Sequence, residues 1–344
     1  MADFFRDIDG GAVISTTIDK YCYVTVRHLP CFFDYSTELA YSRIERITDI
    51  NDINHPLIRN AMKFKNMHDL RITYEADLPA RSGLGTSSSF AVGLLNAFSC
   101  LKGKYADKKT LADEAVFLER KLCDEAGGWQ DQIAASYGGL NRIDFDQSGY
   151  TVKPVVMGKE RKKELNENLL MYFTGFTRLS SKIQKSNLDD DKTNKKERIK
   201  NLKEMLILVD ESQKILTDKN INLDEIGKLL DYSWRLKKGT GKKISNDKID
   251  VLYEKGLNAG AIGGKLLGAG GGGFLLFYVP KDKKENVRSE MNNLLEVPFE
   301  FENTGSAVIH YDPEDYPIDQ IEDLSAMYKD YYREFRKDYF GDLK

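Results

Sequence analysis

The sequence predicts a two-lobed α+β protein, and three observations carry that prediction. The chain of 344 residues is 41 % hydrophobic, with 27 Gly against 8 Pro, enough for two cores at roughly 150 residues per domain. Its first half runs strand, glycine loop, helix around Gly83-Leu84-Gly85. Its second half closes on another glycine loop, Lys265 to Gly273, framed by apolar segments.

Taken in order, Ala12 to Val26 is rich in Val, Ile, Thr and Tyr, with a turn near Asp19, and reads as a strand pair. Leu70 to Ala76 is a further strand. Pro79 to Gly85 cannot continue a sheet, and Phe90, Val92, Leu94, Leu95, Phe98 and Leu101 then recur at helical spacing. A second helix is expected over Thr110 to Leu122, with Leu111, Ala115, Leu118 and Leu122 as its apolar stripe. A short helix from Gln130 to Tyr137 stops at Gly138-Gly139, and strands follow around Leu140 to Phe145 and Tyr150 to Val156. The domain boundary falls just beyond Val156, giving domains 1–156 and 157–311 and an extension, 312–344.

The second domain opens on an apolar strand, Leu169 to Phe173, and passes through the charged run Lys185 to Lys203, read as a solvated face, into helical patterns that end near Leu257. After the glycine loop come a strand, Phe274 to Val279, a helix near Glu285 to Leu295, and strands near Val297 to Phe301 and Ala307 to Tyr311. Ile321 to Phe340 reads as an aromatic-rich amphipathic helix that caps this C-terminal lobe, with binding of a second subunit, a homodimer contact, as the alternative.

Bulk chemistry narrows the partners. The net charge of -3, from 51 basic and 54 acidic residues, lacks the basic field that holds a nucleic-acid backbone. Cys22, Cys31, Cys100 and Cys123 lie far apart with no Cys-x-x-Cys pair, so neither a disulfide framework nor a zinc knuckle is indicated. Asp3, Asp7 and Asp9 stand where a signal peptide would be basic, and the apolar stretch Leu266 to Val279 is too short to span a bilayer. The expectation is a cytoplasmic protein with a small-molecule partner and no membrane contact.

A phosphate calls for several backbone N–H donors aimed at one point, which a glycine turn running into a helix N-terminus provides. Gly83-Leu84-Gly85-Thr86-Ser87-Ser88-Ser89 meets that requirement, and its hydroxyls suit either a helix cap or Mg²⁺. Locally, an ordinary Ser/Thr N-cap explains the same residues equally well. No Gly-x-x-x-x-Gly-Lys-Ser/Thr occurs, which excludes a Walker site. Gly268-x-Gly270-x-x-Gly273 matches the dinucleotide fingerprint in letters only, because a strand follows it where that fingerprint requires a helix.

Pro79-x-x-x-Gly83-Leu84-Gly85-Thr86-Ser87-Ser88 resembles the phosphate loop of the GHMP kinases, and Lys265-Leu266-Leu267-Gly268-Ala269-Gly270-Gly271-Gly272-Gly273 is similar to that family's C-terminal glycine loop. Further segments resemble its sugar 1-kinases that act on D-glycero-D-manno-heptose 7-phosphate. They are Gly10-Gly11-Ala12-Val13, Thr17-Ile18-Asp19-Lys20-Tyr21, His55-Pro56-Leu57, Gly128 to Ala135, and Thr174-Gly175-x-Thr177-Arg178-x-Ser180-Ser181. The likeness runs from about Gly10 to His310. It implies an N-terminal lobe like ribosomal protein S5 domain 2, a ferredoxin-like C-terminal lobe, and an ATP- and Mg²⁺-dependent phosphotransferase. Its acceptor would be the anomeric hydroxyl of a heptose 7-phosphate, in the making of a nucleotide-activated heptose. The rivals are a kinase of an unphosphorylated sugar such as galactose or fucose, and a non-catalytic sugar sensor on the same fold.

The resemblance also implies roles. Asp131 stands where the family keeps its active-site aspartate, to orient and deprotonate the attacking hydroxyl. Glu119, twelve positions earlier, stands where the family places its Mg²⁺ carboxylate, with Ser87 as the hydroxyl ligand. Read alone, Asp131 is a first-turn carboxylate, Glu119 a solvated helix residue and Ser87 a cap. Gly270, Gly271 and Gly272 would let the second lobe's backbone close on the phosphates or the sugar. Arg178 with Ser180 and Ser181 either clamps a sugar phosphate or lies at the surface. His55, before Pro56, is read as a turn residue. The family opens with a strand and a Gly-Gly-Gly-Thr-Asp segment that has no counterpart in this chain, so Met1 is expected to be an internal methionine with the natural start upstream.

Overall fold

The computed structural model describes residues 10–30, 32–80, 82–175, 195–241, 244–312 and 330–335. The N-terminal lobe begins with β1 (Gly11–Ser15), β2 (Thr17–Ile18), β3 (Cys22–His28), β4 (Thr37–Ala40) and β5 (Ile44–Ile47). It continues through α1 (Pro56–Lys65), β6 (Leu70–Ala76), α2 (Thr86–Leu101) and α3 (Lys108–Phe117) to α4 (Gln130–Tyr137), β7 (Asn141–Asp146) and β8 (Gly149–Pro154). The C-terminal lobe comprises α5 (Lys159–Glu167), β9 (Leu169–Phe173), α6 (Lys195–Thr217), α7 (Asp224–Lys238) and α8 (Asp247–Asn258). Then come β10 (Gly263–Leu266), β11 (Phe274–Tyr278), α9 (Lys284–Glu290), β12 (Leu295–Glu296) and β13 (Phe301–Glu302).

Each lobe closes over its own core. In the first, the helical spacing of α2 buries Phe90, Leu94, Leu95 and Phe98 against Leu111, Phe117, Ile133 and Ile143. In the second, the antiparallel sheet β10-β11-β9-β12 packs Tyr172 and Phe277 against Trp234 and Tyr253 of the helices. A third cluster, including Leu140, Val155, Leu165, Leu216 and Tyr278, joins the lobes, and there β13 adds itself to β2 with Phe301 opposite Ile18.

The strands of Ala12 to Val26 are present but do not pair with each other. β1 lies beside β7 in the sheet β1-β7-β8, while β3 pairs with β6 in β3-β6-β4-β5. Alternation identifies a strand, whereas its neighbour is set by which edge buries the apolar face. The expected helix to Leu122 is regular only to Phe117, and Leu118–Leu122 is a π-helical turn. The helix near Glu285 ends at Glu290, and the strand near Val297 is replaced by the short β12 and β13. Ala307 to Tyr311 forms no strand, and Ile309 is 84 % exposed, because nothing there offers a sheet edge to join. The charged run Lys185 to Lys203 is described only from Lys195, as the start of α6.

The C-terminal extension also goes elsewhere than expected. Its helical residues 330–335 pack on the N-terminal lobe, not the C-terminal one: the Tyr332 and Phe335 rings lie 5.0 and 5.2 Å from that of Phe117, and Phe335 is 2 % exposed. An amphipathic stripe states that a face must be covered and is silent on what covers it. Phe335→Ala should cost about 3–5 kcal/mol of stability through the cavity it leaves. Chemical denaturation reads this, and a loss below about 1 kcal/mol would mean the contact is peripheral.

Candidate active site

The phosphate loop is shaped by backbone. Gly85 takes a left-handed conformation (φ 72°) as the residue before α2, and no side chain caps the helix. The first-turn N–H groups of α2 are therefore left for a ligand, the arrangement that favours an anion. Ser87 is exposed at this mouth, and Ser88 turns into the protein.

Glu119 comes to the same point from the π turn, a local widening of the helix that recurs at functional sites. It is 4 % exposed, so it is not a solvated helix residue. Ser87 Oγ donates to its Oε1 at 2.9 Å, Ser88 Oγ to its Oε2 at 2.8 Å, and Gln132 Nε2 also donates to Oε2. Burial pushes the Glu119 carboxyl up, and these three donors offset that only in part. Gln132 Oε1 is buried without a hydrogen-bond partner among the described residues.

Asp131 stands in the first turn of α4, close behind the phosphate loop: a Cβ added at Gly85 would lie 3.5 Å from the Asp131 Cβ. Asp131 is exposed, and partial loss of water from its carboxyl to the surrounding protein raises its pKa, with Gln130 and the Lys237 ammonium pulling the other way.

The second glycine loop packs directly on the first. A Cβ at Gly83 would stand 2.8 Å from Leu267 O, one at Gly268 2.4 Å from the Gly83 Cα, and one at Gly273 2.0 Å from Ser82 O. Only glycine allows backbones to approach this closely. Thr174, at the end of β9, anchors the loop, since its N–H and hydroxyl both lie 2.9 Å from Gly273 O.

The structure thus brings together Gly83 to Ser89, Glu119, Asp131 and the ends of the C-terminal loop. The closest approach falls to Gly268 and Gly273. Gly270 and Gly271 lean instead on Ile244, whose carbonyl accepts from Gly271 N–H at 2.9 Å. Arg178, Ser180 and Ser181 lie outside the described residues. His55 precedes α1 with its ring edge-on to Tyr41 and Phe90, in keeping with a structural residue.

Two contributors escaped the sequence. Gln132 was visible only as a neighbour of Asp131. Lys237 carried no sequence signal, since a basic residue in the last turn of a helix is commonplace. In the fold its Nζ donates to Gly268 O at 2.5 Å and more weakly to Leu266 O at 3.4 Å. Burial pushes its pKa down to about 7, the Lys265 ammonium adds to the depression, and Asp131 opposes it. Lys265 is likewise lowered by burial.

Comparison with known proteins identifies the family. The family model described as the GHMP kinases N terminal domain matches residues 55–139, and that of the GHMP kinases C terminal matches 215–297. The chain is 32 % identical over 303 residues to the D-glycero-alpha-D-manno-heptose 7-phosphate kinase of Campylobacter jejuni, covering 80 % of this chain and 84 % of that one. It is 29 % identical over 276 residues to a bifunctional fucokinase/GDP-fucose pyrophosphorylase of Arabidopsis thaliana, covering 73 % of this chain and 24 % of that protein. Among solved structures, a D-glycero-D-manno-heptose 1-phosphate kinase from Bacteroides thetaiotaomicron superposes with a TM-score of 0.68 at 26 % identity, over 88 % of this chain and 92 % of its own. Among the described residues no helix is long and apolar enough to cross a membrane. The chain belongs to the GHMP kinases, phosphotransferases whose acceptor is an alcohol group.

Proposed function

We propose that the chain is an ATP- and Mg²⁺-dependent kinase of the anomeric hydroxyl of D-glycero-D-manno-heptose 7-phosphate, yielding the 1,7-bisphosphate. The observation that carries the chemistry is the convergence of Asp131 and Glu119 on the mouth of the loop Gly83 to Ser89, each within reach of its backbone or hydroxyls. The similarity to the Campylobacter jejuni enzyme supports the choice of sugar.

The residues at Glu119 fit a hard divalent cation. The donors are all oxygen, from Ser87, Ser88 and the carboxylate, with Gln132 Oε1 spare beside them. These residues would hold magnesium, which would supply neutralisation of charge on the phosphates. The chain's own residues do the rest. The helix N-terminus and loop amides bind the phosphate oxygens, and the C-terminal glycine loop covers them from the other lobe. Asp131 orients the acceptor hydroxyl and takes its proton. As the acceptor oxygen bonds to the γ-phosphorus, the bond to the bridging oxygen breaks, and its electron pair leaves with ADP. An anomeric hydroxyl is more acidic than an ordinary alcohol, which suits a carboxylate base. The site's seam between a core at 1–156 and another at 157–311 belongs to the same reading. The free thiols Cys22, Cys100 and Cys123 support a reducing, cytoplasmic setting.

The similarity to a fucokinase favours one alternative, an unphosphorylated sugar as acceptor. ADP release measured with heptose 7-phosphate, fucose and galactose separates the two. The proposal expects kcat/KM at least about 100-fold higher for the phosphosugar, the discrimination that a paired phosphate group allows. Turnover of a free sugar alone would transfer the assignment to the alternative.

A further inference from the structure

Outside Glu119 and Asp131, the cleft holds two ammonium groups that the mechanism above leaves without a task. Lys237 reaches it from the last turn of α7, where it is bonded to the loop that packs on Gly83, and Lys265 lies in β10 just before that loop, both on the C-terminal lobe; Asp131 stands on α4 of the N-terminal lobe. Lys237 spends its two hydrogen bonds on the neutral carbonyls of Leu266 and Gly268. An ammonium has three protons to donate, so one remains for a ligand. Gly268 itself rests on Gly83 of the phosphate loop, which puts that remaining donor at the meeting point of the two glycine loops. Lys237 and Lys265 are both half-buried, and a cation held at the junction of two backbone loops calls for an anion.

We propose that Lys237 is a catalytic residue that grips the terminal phosphate of the nucleoside triphosphate and carries the C-terminal glycine loop onto it. The inference rests on the kinase reading of the seam. The terminal phosphate is selected over the inner two because Lys237 is bonded to Gly268, which rests on Gly83, two residues before the Gly85 that stands against Asp131, the base of the proposed reaction. The amides of α2 are on the opposite wall, where they hold the remaining oxygens. During transfer Lys237 gives up no proton. The acceptor proton passes to Asp131, and Lys237 only donates hydrogen bonds to oxygens whose charge shifts as the bridging bond breaks. Its pKa, pushed down to about 7 chiefly by loss of water around it, rises once a phosphate supplies counter-charge.

The test is calorimetric binding of MgADP and of the Mg²⁺ complex of a β,γ-imido ATP analogue to the whole chain, as wild type, K237M and K237R. K237M is expected to weaken the analogue about 10- to 100-fold, the worth of a charge-assisted hydrogen bond, and ADP by less than about threefold. Retained ADP binding shows the fold intact, and K237R, which keeps the charge, should restore most of the analogue's affinity. Equal weakening of both nucleotides, or of neither, overturns the proposal while leaving the kinase reading in place. A wild type that binds neither nucleotide overturns the kinase reading and this inference with it.

Discussion

Asp131→Asn is expected to lower kcat by about 10²- to 10⁴-fold with little change in nucleotide affinity, because it removes a proton acceptor and leaves the phosphate loop intact. The amide is isosteric, so Gly85 keeps its neighbour, and the loss falls on the transferred proton. The pH profile adds a second reading. A base acts when ionised, so activity is lost as pH falls through the carboxyl's pKa. Partial desolvation raises that pKa, and the acid limb of kcat/KM should therefore lie above the range of an ordinary aspartate. In Asp131→Asn the residual activity should no longer show that limb. Steady-state kinetics across pH checks both points. A variant with near-normal kcat would remove Asp131 from the reaction.

Glu119→Gln should abolish the response to magnesium and lower kcat/KM about 10³-fold, the value of several kcal/mol of charge stabilisation at the transferring phosphate. The fold itself should not suffer. Burial makes the carboxylate's charge costly, so a neutral amide of the same shape relieves that cost. Gln132 can turn its spare Oε1 toward the new amide, and the hydroxyls of Ser87 and Ser88 can rotate to match. The expected pattern is a melting temperature without metal at least equal to the wild type's. The rise produced by Mg²⁺ with ADP in the wild type should be missing. Calorimetric melting with and without the metal measures this, and a full metal-dependent rise in the variant would exclude Glu119 as its ligand.

The two glycine loops were legible in the sequence for local reasons. The order strand, glycine loop, helix needs only neighbouring residues, and Leu70–Ala76, Thr86–Leu101 and Gln130–Tyr137 formed where periodicity and glycines placed them. The roles proposed for Glu119 and Asp131 came from resemblance, since a carboxylate on a helix looks the same in sequence whether it faces water or a phosphate. Its burial depends on a π turn that rotates Glu119 inward, and no residue of Leu118–Leu122 announces such a turn.

The sequence by itself determined where most of the elements form and where the two glycine loops lie, because backbone preference and apolar period act over a few residues. Tertiary structure alone decided which edge β1 joins, which lobe Phe335 covers, and that Lys237 reaches Gly268. Those outcomes depend on surfaces contributed by segments far apart in the chain, and each is settled by what remains to be buried or paired once the local elements have formed.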